Sequence, residues 1–78
     1  MAVKAYVLIE TMVGKSRDVS DRLRQVEKIA TVDVVAGSYD VIAVVEADDL
    51  NVVGDLVTRQ IHAIRGITRT VTCMVVSA

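Results

Sequence analysis

The apolar patterns of this chain occur in an order that is compatible with few folds. Four short β-prone segments are dense in apolar side chains, and two other segments carry apolar residues at helical spacing. The predicted strands cover residues 3–10, 31–36, 41–47 and 67–76. The predicted helices begin just after Ser16 and just after Asp48 and Asp49. Along the chain, the predicted order is strand, helix, strand, strand, helix, strand.

This order predicts an α+β protein of the ferredoxin-like type, βαββαβ, in which a four-stranded antiparallel sheet carries both helices on one face. In the first strand, alternation directs Ala5, Val7 and Ile9 to one face and Tyr6 and Leu8 to the other. The apolar faces of the two helices are predicted to consist of Val19, Leu23, Val26 and Ile29, and of Leu50, Val53, Val57, Ile61 and Ile64.

Local signals predict where these helices begin and end. Ser16 is a candidate N-cap for the first helix, and Asp48 or Asp49 is a candidate for the second. Gly66 is the expected terminator of the second helix.

The length of 78 residues allows one domain, which we predict to span residues 1–78. The strands at 31–36 and 41–47 are apolar on both faces, although helices would cover only one face of the sheet. The uncovered face would be a larger apolar patch than monomers usually expose. We therefore expect a homo-oligomer built from face-to-face dimers.

Charge, cysteine content and hydropathy argue against several other classes of protein. The formal net charge of −1 argues against a dedicated nucleic-acid binder, which usually carries a basic surface. Cys73 is the only cysteine, so neither an intramolecular disulfide nor a cysteine-based zinc site is expected. No apolar run reaches the length of a membrane span and no signal peptide is evident, so a cytoplasmic protein is expected.

The sharpest turn signal is Gly37-Ser38-Tyr39-Asp40, between the second and third strands. Glycine lets backbone N–H groups face a small anion, Asp40 offers a carboxylate to an ammonium group, and Tyr39 offers an aromatic wall. An ordinary hairpin turn, in which Asp40 bonds its own backbone, explains the same residues. Both interpretations stay open on local sequence.

The last strand contains three threonines in alternation, at Thr68, Thr70 and Thr72. A period of two places their hydroxyls on one face, and if the intervening apolar residues face the helices, the threonines line the open face. They would there bond one another, water or a ligand carboxylate. The alternative is that threonine is simply a favourable strand residue.

No catalytic site is recognisable. His62 lies in the second helix, away from any acid or nucleophile in the sequence pattern, and is expected at the surface or at an interface. Cys73 is expected to be a small buried residue. No glycine-rich phosphate loop is present. We therefore predict a protein that is not an enzyme and uses no cofactor.

Four segments together resemble the effector-binding domain, or RAM domain, of the Lrp/AsnC transcription regulators. They are Ala5-Tyr6-Val7-Leu8-Ile9, Val34-x-x-Gly37-x-Tyr39-Asp40, Asp48-Asp49-Leu50 and Ile64-x-Gly66-Ile67-x-x-Thr70-x-Thr72. The resemblance runs from Ala5 to Val76 and implies a single ligand-binding domain. It is expected to be a stand-alone form, because the helix-turn-helix domain of the family has no counterpart here.

The resemblance implies a function. Dimers would form through the sheet and associate into octamer-like rings, with a small amino acid bound between dimers. Gly37, Ser38, Tyr39 and Asp40 would form one part of the binding site, and Thr70 and Thr72 would form another. The module would modulate transcription through association with full-length Lrp/AsnC regulators, without binding DNA directly. A small dimeric ferredoxin-like enzyme and a purely structural oligomerisation module are the alternatives.

Overall fold

The computed structural model describes residues 2–77 and confirms the predicted order of strands and helices. The strands are β1 (Val3–Thr11), β2 (Ile29–Val34), β3 (Val41–Ala47) and β4 (Ile67–Met74). Helix α1 spans Ser16–Leu23. Helix α2 spans Leu50–Asp55 and continues directly as a π-helical segment, Leu56–Ile61.

The strands form one antiparallel sheet in the order β2-β3-β1-β4. This arrangement, with two helices in the order βαββαβ, confirms the ferredoxin-like α+β fold. Ile9 of β1 lies opposite Val41 of β3 and Thr70 of β4. The end of β1, the turn that precedes β3 and the first half of β4 therefore lie at the same end of the sheet.

The core lies between the sheet and the helices. Ala5, Val7 and Ile9 are fully buried, which confirms the face predicted for β1. The core also contains buried residues of β2 (Ile29, Val32), of β3 (Val41, Ala43, Val45, Ala47), of the helices (Val19, Leu23, Val53, Leu56, Val57, Ile61) and Ile64. Leu50 is 60% exposed despite its place in the predicted pattern, because it is the first residue of α2.

The N-cap residue of α2 is one of the two predicted candidates, whereas the N-cap residue of α1 is not the predicted one. Asp49 caps α2, because its Oδ1 accepts a hydrogen bond from the backbone N–H of Val52 at 3.0 Å. The prediction for Ser16 is wrong. Lys15 occupies the N-cap position of α1 and makes no side-chain capping bond, and Ser16 is already helical. The negative charge of Asp18 in the first turn is the remaining favourable feature of that terminus.

The first helix is shorter than its apolar pattern suggested. It ends at Leu23, and Ile29 is the first residue of β2, opposite Val45. Between them the chain makes tight turns, in which Val26 N–H donates to Leu23 O and Ile29 N–H donates to Val26 O. Ile29 is buried as a strand residue, so its helical spacing in the sequence did not indicate a helix.

Gly66 joins the second helical region to β4 in a conformation that favours glycine. Its φ is +103°, and a Cβ at this position would approach Lys15 Cβ and Val19 Cγ2 to 3.2 Å. Its carbonyl accepts a hydrogen bond from Met12 N–H at 2.7 Å. Gly66 therefore permits both the sharp turn and the close approach of the loop that follows β1.

Replacing Gly66 with alanine is expected to lower the free energy of unfolding by about 1–3 kcal/mol, because the positive φ and the short contacts both oppose a side chain. Gly54→Ala is the matched control: Gly54 lies in α2, and a Cβ there would meet nothing within 4 Å. That control should instead stabilise the protein by about 0.5–1 kcal/mol. Urea unfolding of both variants measures the difference, and equal effects would contradict this account of Gly66.

The face of the sheet away from the helices is apolar and remains accessible in the single chain. Leu8 lies at its centre, between Ile42 of β3 and Val71 of β4 in the register. A shallow cavity of about 550 Å³ on this face is lined by Tyr6, Leu8, Asp33, Ile42, Val44, Cys73, Met74 and Val75. We call this surface the open face. Cys73 is exposed on it, which corrects the expectation of a buried cysteine.

Candidate functional site

The turn between β2 and β3 presents its first residues to solvent. Gly37 has a φ of +154°, and apart from its chain neighbours no residue between 2 and 77 has a heavy atom within 4 Å of the position that a Cβ would occupy. Gly37 and Ser38 are exposed, and Tyr39 and Asp40 are half-buried. The turn therefore offers accessible backbone beside one aromatic ring and one carboxylate.

Asp40 ties this turn to the end of β1. Its Oδ2 accepts a hydrogen bond from Thr11 N–H at 2.8 Å, and its own N–H donates to Ile9 O at 2.9 Å. Its carbonyl accepts a third bond, from Val35 N–H at 2.8 Å. The carboxylate thus bonds a neighbouring strand rather than its own turn. Within residues 2–77 the structure shows no partner for the second oxygen, Oδ1.

The two threonines of the predicted site lie on the helix side of β4, not on the open face. Thr70 is opposite Ile9 and Thr72 is opposite Val7, and both partners are fully buried core residues. The sequence analysis placed these threonines on the open face on the condition that the intervening apolar residues faced the helices, and the register shows the opposite arrangement. The reason is that β4 is an edge strand: Thr72 is exposed and Thr70 is half-buried, so the helix side of β4 tolerates hydroxyls.

The fold brings Asp40 and Thr70 to the same end of the sheet without direct contact. Val41, which follows Asp40, aligns with Ile9, and Ile9 aligns with Thr70. One strand, β1, separates the two sides, so their backbones are about 10 Å apart. Thr72 lies two residues further along β4. A ligand that contacts both groups in one chain would have to span the end of β1.

His62 is a candidate site residue that the sequence analysis expected only at the surface or at an interface. Its Nε2 lies 2.7 Å from Thr70 Oγ1, across the gap between the second helical region and β4. Beside this pair is a shallow cavity of about 210 Å³ lined by His62, Ile67, Thr68, Arg69 and Thr70. No sequence signal identified the pair, because a separation of eight residues across a turn carries no periodic pattern.

Another cavity lies away from these residues. It has a volume of about 650 Å³ and is lined by Lys15, Asp18, Asp21, Arg22, Ala63 and Arg65. Its charges are mixed, and Lys15 Nζ lies 4.0 Å from Asp18 Oδ2. None of the predicted site residues lines it, so we do not assign the site to this cavity.

Metal-binding clusters and membrane-spanning helices are both absent from the part of the chain that the structure describes. Between residues 2 and 77, no group of three or more His, Cys, Asp or Glu side chains is placed to hold a metal ion. Over the same residues, no helix is long and apolar enough to cross a membrane.

Comparisons with protein families and with solved structures give matches over nearly the whole chain. The family model of the Lrp/AsnC ligand binding domain matches residues 4–78. A comparison with curated protein sequences gave no match. The solved structure of FFRP-DM1 is 32% identical with a TM-score of 0.89, and the match covers 95% of this chain and 99% of that chain. TTHA0845 from Thermus thermophilus is 29% identical with a TM-score of 0.92, over 97% and 95% of the two chains.

A longer relative has the same fold. The feast or famine regulatory protein Rv3291c from M. tuberculosis, complexed with L-methionine, is 23% identical with a TM-score of 0.81. The match covers 97% of this chain and 51% of that protein, so this chain spans about half of the longer regulator. Because the family model covers nearly the whole sequence, this chain belongs to the family of Lrp/AsnC ligand-binding domains.

Proposed function

We propose that this chain is an amino-acid-binding and oligomerisation module that modulates transcription by associating with full-length Lrp/AsnC regulators. The observation that carries the proposal is the Gly37–Asp40 turn within an Lrp/AsnC ligand-binding fold: its backbone is accessible, and one oxygen of its carboxylate has no partner within residues 2–77. The M. tuberculosis relative, solved with L-methionine, supports an amino acid as the class of ligand.

The chemistry of the turn suits a zwitterion. Asp40 Oδ1 would accept hydrogen bonds from the ligand ammonium, while Oδ2 keeps its bond to Thr11 N–H. The N–H groups of Gly37 and Ser38, which are exposed residues, would face the ligand carboxylate. A free amino acid has about ten heavy atoms. With the binding free energy per heavy atom that is usual for small ligands, its Kd is expected to lie between about 1 μM and about 0.1 mM.

The proposed site is completed by a second chain. Thr70 and Thr72 lie across β1 from Asp40, so we propose that these hydroxyls approach the ligand from a neighbouring subunit. The open face would pair with the open face of a second copy, and such dimers would associate into octamer-like rings. The apolar character of Leu8, Ile42 and Val44 supports the first contact, because water-exposed apolar area is removed when two such faces meet.

A thermal-shift screen of the twenty amino acids at about 10 mM tests this proposal. For a Kd of about 0.1 mM, this ligand concentration is about a hundred times the Kd and stabilises the folded protein by about 2.7 kcal/mol. In a domain of this size that corresponds to a rise in Tm of about 10 °C or more. Light scattering on each stabilising amino acid would show whether binding changes the assembly. A screen without any selective shift would contradict the proposal.

A purely structural oligomerisation module is the second candidate, and one observation favours it. The bond from Thr11 N–H to Asp40 Oδ2 gives Asp40 a role in the fold that needs no ligand. This candidate predicts a stable oligomer that no amino acid stabilises. The screen and the sizing experiment therefore separate the two candidates.

The described residues support an enzymatic function less well than they support ligand binding. Within residues 2–77 the imidazole of His62 makes one hydrogen bond, to Thr70 Oγ1, and none to a carboxylate. A histidine that serves as a general base usually has an orienting acid. We therefore propose that the chain acts by binding and not by catalysis.

A further inference from the structure

His62 directly follows a segment of π-helix, which is a rare type of backbone structure. The residues Leu56–Ile61 form a π-helix, and His62 N–H continues its pattern by donating to Val57 O at 2.9 Å. The wider turn of a π-helix is less favourable than an α-helix, and such segments occur frequently at functional sites. Here the segment ends where the His62 side chain reaches across to β4.

The pair formed by His62 and Thr70 keeps unused hydrogen-bonding capacity. If Nε2 carries the proton, it donates to Oγ1, and the Thr70 hydroxyl remains free to donate to another group. If Nε2 is the acceptor, the hydroxyl donates to it, and Oγ1 remains free to accept. His62 Nδ1 has no partner within residues 2–77 in either case. The pair therefore fixes the position of the hydroxyl without saturating it.

The surroundings of the pair are polar and close to electrically neutral. Four of the five residues that line the adjacent cavity have polar side chains: His62, Thr68, Arg69 and Thr70. Arg69 Nη1 lies 3.3 Å from Glu10 Oε2, so the carboxylate of Glu10 partly compensates the positive charge of Arg69. His62, Thr68 and Arg69 are exposed in the single chain, so water can bond them there. Where the ligand and the neighbouring subunit exclude this water, an apolar ligand side chain would leave these groups without partners, whereas a neutral hydrogen-bonding side chain would satisfy them.

We propose that His62 is a specificity-determining residue of the effector site. It holds the Thr70 hydroxyl in place and favours amino acids with a neutral hydrogen-bonding side chain, such as asparagine, over aliphatic amino acids of similar shape, such as leucine. This inference rests on the proposed function, because it assigns the ligand class of the same site.

Calorimetric titration with asparagine and with leucine tests the inference on wild-type protein and on His62→Leu. The wild type should bind asparagine at least as tightly as leucine, and the ratio of the two affinities should fall about tenfold in His62→Leu. His62→Gln, which keeps hydrogen-bonding atoms at a similar reach, should restore most of the ratio. Gln60→Leu is the matched control, because Gln60 is also exposed on the same segment, and it should leave the ratio unchanged.

The outcomes distinguish this inference from the proposed function. Because His62 is exposed, His62→Leu should keep the wild-type Tm in the absence of ligand. If the wild type binds leucine in preference, or if the ratio is the same in His62→Leu, the inference is overturned while effector binding stands. If the wild type binds no amino acid, the proposed function and the inference fail together.

Discussion

Replacing Leu8 with aspartate is expected to convert the proposed oligomer into single chains. Leu8 lies at the centre of the open face, with Ile42 and Val71 opposite it on the two neighbouring strands. In a face-to-face dimer two such carboxylates would be removed from water without partners, and each costs several kcal/mol. The dissociation constant should therefore rise by roughly a thousandfold or more.

The single chain should tolerate the same substitution. Leu8 is only half-buried in the isolated subunit, so a carboxylate at this position keeps contact with water. The fold itself should lose about 1 kcal/mol. Leu8→Ile, which conserves volume and suits a strand, is the matched control and should leave the assembly intact.

Light scattering at several protein concentrations measures the assembly, and circular dichroism verifies the fold of each variant. The expected result is a folded Leu8→Asp chain with the mass of one subunit, beside oligomeric wild type and Leu8→Ile. An unchanged mass for Leu8→Asp would mean that another surface holds the subunits together. Wild-type protein that is a monomer at all concentrations would exclude the proposed dimer.

The fold could be predicted from the sequence because the apolar pattern of each strand and helix indicates which of its faces is buried. Ala5, Val7 and Ile9 are predicted and observed in the core, since alternation with a period of two has only two possible faces and the helices bury one of them. The cap of the second helix at Asp49 follows from local chemistry alone. The family assignment from four short segments is likewise confirmed by the family model.

The site was predicted less completely, because its geometry depends on register and on local helix type. Alternation places Thr70 and Thr72 on a common face but does not say which face, and the register with β1 places them opposite core residues. The contact between His62 and Thr70 follows from a π-helical segment that no 3.6-residue pattern predicts. That both threonines and the Gly37–Asp40 turn bind a ligand stays a prediction.

Asp40→Asn is expected to separate the structural role of Asp40 from its proposed role in binding. The side-chain oxygen of asparagine can still accept the hydrogen bond from Thr11 N–H, so the free energy of unfolding should change by less than about 1 kcal/mol. The negative charge that would pair with the ligand ammonium is lost. A hydrogen bond to a charged group contributes about 1.5–3 kcal/mol, so amino-acid affinity should fall by roughly 10- to 150-fold.

Asp40→Ala removes both roles and completes the comparison. It leaves Thr11 N–H without its partner, which should cost about 1–2 kcal/mol of stability in addition to the loss of binding. Urea unfolding gives the stability of both variants, and calorimetric titration with the best amino acid from the screen gives their affinities. If Asp40→Asn binds as tightly as wild type while Asp40→Ala is destabilised, Asp40 serves only to hold the turn against β1. If both variants lose binding but only Asp40→Ala loses stability, the carboxylate charge itself recognises the ligand.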